Sequence, residues 1–436
     1  MTANSSTDDS RPPGILREVA VTYSGQIIGS GIGFIIQLLL QKSLGAVSYG
    51  VLAMAVSAGA VAGVVTDFGI SHAMVRFGSR ALAEHPGDNE PAQAHMFVGL
   101  VARLALVALV SIIGLLTVNW QAITVFADPA VANPLKWVYI GLVGNTLWSY
   151  WLFYVQTFQR FGLRSALVVA VAVLRLGSFA AAWTLHVLDP TAMIIIDAAV
   201  PLVGFAIGMM LSPRGLLSVP HERLKSAARE LLPYCRFTGI LIIGDTIFNE
   251  LDTLMLGAMA DSHTVGVYRA AWTYAMAFGF LNMSVANVLF PKVTSVSDPT
   301  ELRAFIRRIL KFTSLLALAT LPAIPLVAWW IPWYEKSYSD ATGIFYLLYL
   351  GILFELVIGP LQYALYSLNR PGILAAIALI KIALNVAANV LLIPQYGAYG
   401  AAGATIFTRV FGGAVAVTII MATLSQLEFG DKSKSQ

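Results

Sequence analysis

The chain has 436 residues, 58% of them hydrophobic and only 11% charged, with a formal net charge of +4. Soluble domains carry roughly 45–50% apolar and about 25% charged residues, so this composition excludes a soluble globular protein and suits one whose surface is covered by lipid. The single cysteine, Cys235, excludes an intramolecular disulfide and a Cys-based metal site.

Residues 1–18 are polar and carry both signs of charge. No short apolar run with a small-residue cleavage site precedes the first span, so a cytoplasmic tail over 1–20 is expected rather than a cleaved signal peptide. About twelve apolar stretches of near 20 residues follow, long enough to cross a bilayer as helices. They begin near Val21, Tyr49, Phe97, Trp137, Ser165 and Thr191, then near Tyr234, Val267, Ile309, Thr342, Ile373 and Gly400. β-Barrel strands would be about half as long and would alternate in polarity. The expected fold is therefore all-α and polytopic. It divides into a six-helix bundle over 21–212, a cytoplasmic connector over 213–233, a second six-helix bundle over 234–424 and a tail over 425–436.

The loops orient this bundle. One alternate set holds Arg11, Arg17, Arg76, Arg80, Arg160, Arg164, Arg214, Arg223, Arg303, Arg307, Arg308, Arg370, Lys432 and Lys434, among others. The other set holds only Lys42, Lys136, Arg269 and Lys336. Basic loops stay on the cytoplasmic side, so both termini are expected in the cytoplasm. Within 291–311, Asp298 reads as an N-cap, Pro299 as the first helical residue and Glu301 as the third. Leu302, Phe305, Ile306, Ile309 and Leu310 then recur at helical spacing opposite Arg303, Arg307 and Arg308. This is an amphipathic helix leading into a span, with a basic face open to anionic lipid headgroups.

The layout occurs twice. Leu44-Gly45 to Tyr49-Gly50 is matched by Leu256-Gly257 and Gly266-Val267-Tyr268; Arg160-Phe161-Gly162 is matched by Arg370-Pro371-Gly372. Two related halves suit a transporter whose bundles rock about a central site. The first run continues into Asp67-Phe68-Gly69-Ile70 and Arg76, and the last spans carry Ile393-Pro394 and Tyr396-Gly397. With Asp252 and Phe290-Pro291, these motifs resemble, in order and over nearly the whole chain, the bacterial polysaccharide exporters. These are the oligosaccharide flippases of the multidrug/oligosaccharidyl-lipid/polysaccharide superfamily. The resemblance implies a flippase, not an enzyme, for an undecaprenyl-diphosphate-linked oligosaccharide. Its partners would be that substrate, membrane lipids, and the polymerase and chain-length regulator of the export pathway. Nucleic acid is not among them.

Ionisable groups at mid-membrane cost roughly 2.5–3.5 kcal/mol each on insertion scales, so each needs a reason. Arg103, Arg175, Lys381 and Arg409 are expected to form a cationic lining for a diphosphate and acidic sugars. Asp245, Glu250, Asp252 and Glu355 are expected to bind a coupling proton or sodium ion. Asp245, Asn249 and Asp252 share one helical face, as do Lys381, Asn385 and Asn389, and Asn145 and Ser149. Such stripes face a cavity or another helix. Arg103, Arg409 and Glu250 have a second reading, as structural pairs or groups snorkelling to an interface. Asp67, beside Phe68-Gly69 at a helix end, has a local hydrogen-bonding role as its second reading. Gly25, Gly29 and Gly33 form a ladder for close helix packing. Most tryptophans near span ends are interfacial anchors.

No GxxxxGK[ST] loop is present for ATP hydrolysis, and His72, His85, His95, His186, His221 and His263 are too scattered for a metal site. No cofactor is expected beyond the coupling ion. A cation-coupled multidrug antiporter of the same superfamily is the nearest alternative; it would want an acidic or aromatic cavity. A lipid II flippase resembles this chain less at the first run. A membrane enzyme of polysaccharide assembly would need a sizeable extramembrane loop or a carboxylate cluster at an aqueous face.

Overall fold

The computed structural model describes residues 14–211, 220–294, 296, 298–368 and 370–434. Arg11, Arg214 and Asn369 lie outside the described residues, as do most of the N-terminal tail and the 213–219 part of the connector. Among the described residues the chain is helical and has no strand. The first half contains α1 (Gly14–Asp67), α2 (Ile70–Glu84), α3 (Glu90–Trp120), α4 (Ala132–Thr157), α5 (Phe161–Thr184) and α6 (Pro190–Met210). The second contains α7 (His221–Met259), α8 (Ser262–Thr294), α9 (Pro299–Thr320), α10 (Ala323–Tyr334), α11 (Ala341–Ile358), α12 (Ala364–Ser367), α13 (Pro371–Tyr396) and α14 (Ala398–Lys434).

Among the described residues, nine helices, or ten with the bent α7, are long and apolar enough to cross a membrane. The first of these, Val21–Glu84, holds two crossings. Gly45, at φ 71° and ψ 172°, breaks α1 between them, and only glycine takes that conformation cheaply. α4, at 26 residues, is not among these nine. The second half of the span list includes two composites: α9 runs into α10, and α11 runs through a short 3₁₀ turn into α12. α9 begins where its sequence says it should. The Asp298 carboxylate caps it by accepting from the Glu301 N–H at 2.7 Å.

The connector behaves differently from the expected boundary. Its described part is helical and forms the first limb of α7, which bends by 41° between Arg236 and Thr238. That limb packs on the first half: Leu231 and Cys235 are buried with Met74, Met96 and Trp151. Arg223 bridges to Asp88 at 3.1 Å and Glu90 at 3.5 Å. A leucine face on an otherwise charged segment is what lets it dock.

The two halves meet through paired glycines. A Cβ on Gly50 would lie 1.8 Å from the Ser262 carbonyl oxygen, and one on Gly266 would lie 1.9 Å from that of Ala46. Each glycine thus touches the residue four positions before the other, so the duplicated motifs cross in a self-complementary contact. The Asp-Phe-Gly motif makes a second such contact. Gly69, at φ 73°, starts α2, and its Cβ would lie 2.6 Å from Thr238 Oγ1 and 2.7 Å from the Gly239 nitrogen, at the bend of α7. Around the first crossing a large core joins the halves, with Tyr49, Met54, Leu256, Tyr268, Tyr338 and Phe345 buried together. The Gly25 ladder packs on two rungs only: Cβ positions on Gly25 and Gly29 would meet Ser165 at 2.6 Å and Val168 at 3.0 Å, whereas Gly33 faces open space.

Candidate functional site

The first half encloses a cavity of about 440 Å³ between the second limb of α1 and helices α4, α5 and α6. Gly63 on its wall leaves open space, with nothing within 4 Å of a Cβ there, whereas Gly59 and Gly141 let the helices close on Val138 and Ala198, where a Cβ would lie 2.7 Å away in each case. Arg175 from α5 and Asp197 from α6 line it and form a bidentate pair, Nε to Oδ1 at 2.6 Å and Nη2 to Oδ2 at 2.8 Å. Asn145, one turn below Ser149 on α4, also lines it, with Trp137 and Trp148 in the wall. Trp148 is held flat against Trp151, with ring centroids 6.0 Å apart.

Arg103 and Ser149 are elsewhere. Arg103 is 3% exposed, donates to Ser149 Oγ at 2.7 Å and sits 3.3 Å from Asp67. Asp67 also accepts a short hydrogen bond from Ser71. This cluster ties the end of α1 to α2, α3 and α4. Arg103 and Asp67 are thus paired with each other between helices, and neither these two nor Ser149 lines the cavity.

In the second half Asp252 is buried at 5% exposure and accepts from three neutral donors. These are Tyr268 Oη at 2.7 Å, Asn389 Nδ2 at 2.8 Å and Thr405 Oγ1. Asn389 Nδ2 is also 3.0 Å from Asn385 Oδ1, and Asn389 Oδ1 is buried without a hydrogen-bond partner. Asp252, Asn385 and Asn389 thus meet from α7 and α13 in a closed polar knot, not on an open cavity wall. Thr405 gave no signal in the sequence, because a lone threonine in an apolar helix ordinarily bonds its own helix carbonyl.

The remaining ionisable residues are dispersed. Asp245 and Lys381 line a cavity of about 320 Å³ between α7 and α13, where the Lys381 ammonium lies 4.7 Å above the Phe248 ring. Asn249 is exposed and donates back to the Asp245 carbonyl at 2.8 Å. Arg409 of α14 pairs with Glu355 of α11 and lies 5.8 Å over Trp272. Glu250 bridges the halves: it accepts from Ser57 at 2.7 Å and pairs with Arg269 at 3.2 Å. Arg269, expected in a loop, lies within α8. The four cations do not form one lining. Among the described residues Arg103, Arg175 and Arg409 each have a carboxylate within 4.0 Å, and Lys381 does not.

A family described as polysaccharide biosynthesis protein matches residues 15–296, well over half of the chain. Two proteins of the archaeon Haloferax volcanii are similar in sequence. "Probable flippase AglR" is 29% identical over 210 residues, covering 47% of this chain and 44% of that protein. "Probable low-salt glycan biosynthesis flippase Agl15" is 25% identical over 219 residues, covering 48% and 46%. The chain thus spans less than half the length of these curated relatives. Two solved structures share its fold. "Lipid II flippase MurJ, inward closed conformation" has a TM-score of 0.68 at 12% identity, over 93% of this chain and 87% of the other. An inward-facing multidrug resistance MATE transporter of the MOP superfamily has 0.67 at 13%, over 92% and 98%.

Proposed function

Since the chain belongs to the polysaccharide biosynthesis protein family, we propose that it moves a lipid-linked oligosaccharide across a membrane. On this reading the carrier is undecaprenyl diphosphate and the membrane is the bacterial inner membrane. Both termini are cytoplasmic, and the direction is toward the outer face. The observation that carries the reading is the self-complementary crossing of Gly50 and Gly266 between the two halves. Backbone meets backbone there within an apolar core, and such non-directional packing can part and reform as the halves rock. Lys381, which has no carboxylate within 4.0 Å among the described residues and shares its cavity with Asp245, is the group we assign to attract a diphosphate.

Coupling falls to the Asp252 knot. Its groups are oxygens of a carboxylate, two carboxamides and two hydroxyls, a set that suits a hard cation. The Asn389 Oδ1 atom, buried and unpartnered, fits a sodium ion better than a proton, since a proton on Asp252 would leave that oxygen unsatisfied. Such an ion biases the bundle only by its difference in affinity between the two states. The decisive assay reconstitutes the full chain into liposomes with a fluorescent polyprenyl-diphosphate oligosaccharide and measures its exposure to a membrane-impermeant quencher. Protein-containing vesicles should equilibrate the lipid across the bilayer within minutes. Equal quenching with and without protein would sink the reading.

A further inference from the structure

We infer that the cavity inside the first half is a subsite for a sugar residue of the transported glycan, an inference that rests on the transporter reading above. Its volume, about 440 Å³, lies within the range of ligand pockets, roughly 300–1,000 Å³. The wall is mostly apolar, and its polar groups converge from three helices: Asn145, Arg175 and Asp197.

The charge of that group selects the ligand. Arg175 spends two of its N–H donors on Asp197 in a bidentate pair. The pair is neutral overall. A diphosphate entering here would meet the Asp197 carboxylate and would have to break the fork to claim the guanidinium. A neutral polyhydroxyl ligand would not. A guanidinium carries five donors, so three remain, and the Asp197 oxygens keep spare lone pairs. Asn145 adds an amide whose Nδ2 reaches its own helix at the Gly141 carbonyl, 3.3 Å away, leaving its oxygen to accept. Donors and acceptors held a few ångströms apart on a rigid frame match neighbouring hydroxyls. The indoles of Trp137 and Trp148 match the C–H face of a pyranose. A wholly apolar ligand, such as an isoprenyl chain, would fit the wall but leave the remaining donors and acceptors of the ion pair unmatched. The pair also sits on the hairpin of α5 and α6, which among the described residues carries no ion pair to the second half. A ligand there would move with the first half as a unit.

The test is tryptophan fluorescence of the purified full chain in detergent. It is titrated with glucose, galactose, rhamnose, N-acetylglucosamine and the glycans released by mild acid from the host's polyprenyl-linked pool. At least one glycan probe should give a saturable change. Asn145→Ala and the paired change Arg175→Gln with Asp197→Asn should each weaken it at least tenfold. Gly63→Leu should abolish it by filling the cavity, since nothing lies within 4 Å of a Cβ there and the ion pair stays intact. Unchanged affinity in all three variants would overturn the assignment. So would a saturable response to inorganic pyrophosphate, or displacement of the glycan by farnesol. If no glycan probe responds while the same preparation equilibrates the fluorescent lipid in liposomes, the subsite is wrong and the transporter reading stands. If a glycan binds and the variants lose it, but liposomes show no lipid movement, the subsite stands and the transporter reading fails.

Discussion

Gly50→Ala is the sharpest probe of how the halves separate. The added methyl would lie 1.8 Å from the Ser262 carbonyl oxygen, where ordinary contact begins at 3.4 Å. The obstacle is backbone, so no side chain can swing aside and the crossing must part by about 1.5 Å. Overpacking of this kind costs about 1–3 kcal/mol. At about 1.4 kcal/mol per tenfold, that moves the closed–open equilibrium roughly 5- to 150-fold toward parting of the crossing. Gly266→Ala should do the same, because its methyl would meet the Ala46 carbonyl at 1.9 Å. The double variant should shift little further, since one parting relieves both clashes. Lys42 and Lys336 report the change. Both are exposed, Lys42 lies 5.2 Å over the Tyr334 ring, and Tyr338 donates to the Gln41 carbonyl at 3.1 Å, so this corner joins the halves. Spin labels on Lys42→Cys and Lys336→Cys, with Cys235 replaced by Ser, should give a longer, broader distance distribution in either alanine variant. Gly177→Ala, with nothing within 4 Å of its Cβ, should leave the distribution unchanged. Identical distributions in Gly50→Ala, Gly266→Ala and the parent would refute the idea that these glycines hold the halves together.

Three further outcomes are expected. Arg103→Ala should cost about 3–5 kcal/mol by leaving Asp67 without its buried partner; thermal unfolding should show it, and Arg103→Met with Asp67→Asn should restore most of the loss. Asp252→Asn should remove sodium-dependent stabilisation. At a sodium concentration of about 100 Kd, the parent should gain about 2.7 kcal/mol over a sodium-free buffer, and an equal gain in the variant would reject Asp252 as the ion ligand. At the start of α9, the Thr300 hydroxyl and Glu301 N–H hold the Asp298 carboxyl below the usual carboxylate range. Its cap is therefore fully formed above the unfolded carboxylate pKa of about 3.9 and is lost as pH falls through the lower folded value. Protection of the first-turn amides of α9, taken against the intrinsic exchange rate at each pH, should fall on acidification in the parent and should be low at every pH in Asp298→Ala.

Much of this was legible in local pattern. Apolar runs located the helices, Asp298 announced α9, and the helical spacing of Asn385 and Asn389 placed both on the face that meets Asp252. What local pattern withheld is pairing between helices. Arg103 finds Asp67, Arg175 finds Asp197 and Arg409 finds Glu355, and nothing in the spacing of these residues encodes the helix contacts that join them. Four arginines and lysines read as one cationic surface became three closed pairs and one remaining ammonium. The glycine crossing did carry a signal: Ala46 with Gly50, and Ser262 with Gly266, are small residues four apart, the spacing that lets helix backbones approach. It is easily overlooked in a chain with 36 glycines.

The duplication explains why the two polar sites lie where they do. Arg175 falls fourteen residues after the first residue of α5, and Asn385 fourteen after the first of α13. Asp197 falls seven after the start of α6, and Thr405 seven after the start of α14. The same two positions of a duplicated helix pair therefore hold a guanidinium and carboxylate in one half, and a carboxamide and hydroxyl in the other. The two halves thus put polar groups at the same two positions of matching helix pairs, with different residues in each. In the first half the charge is cancelled within the pair, which leaves neutral hydrogen-bonding capacity facing a cavity. In the second half the negative charge comes from outside the pair, on Asp252 of α7, and is met only by neutral donors. An uncancelled carboxylate in a dry pocket calls for a cation; a cancelled one does not. On the proposed reading ion and glycan occupy opposite halves, and the Gly50–Gly266 crossing is one contact through which binding in one half can be felt in the other.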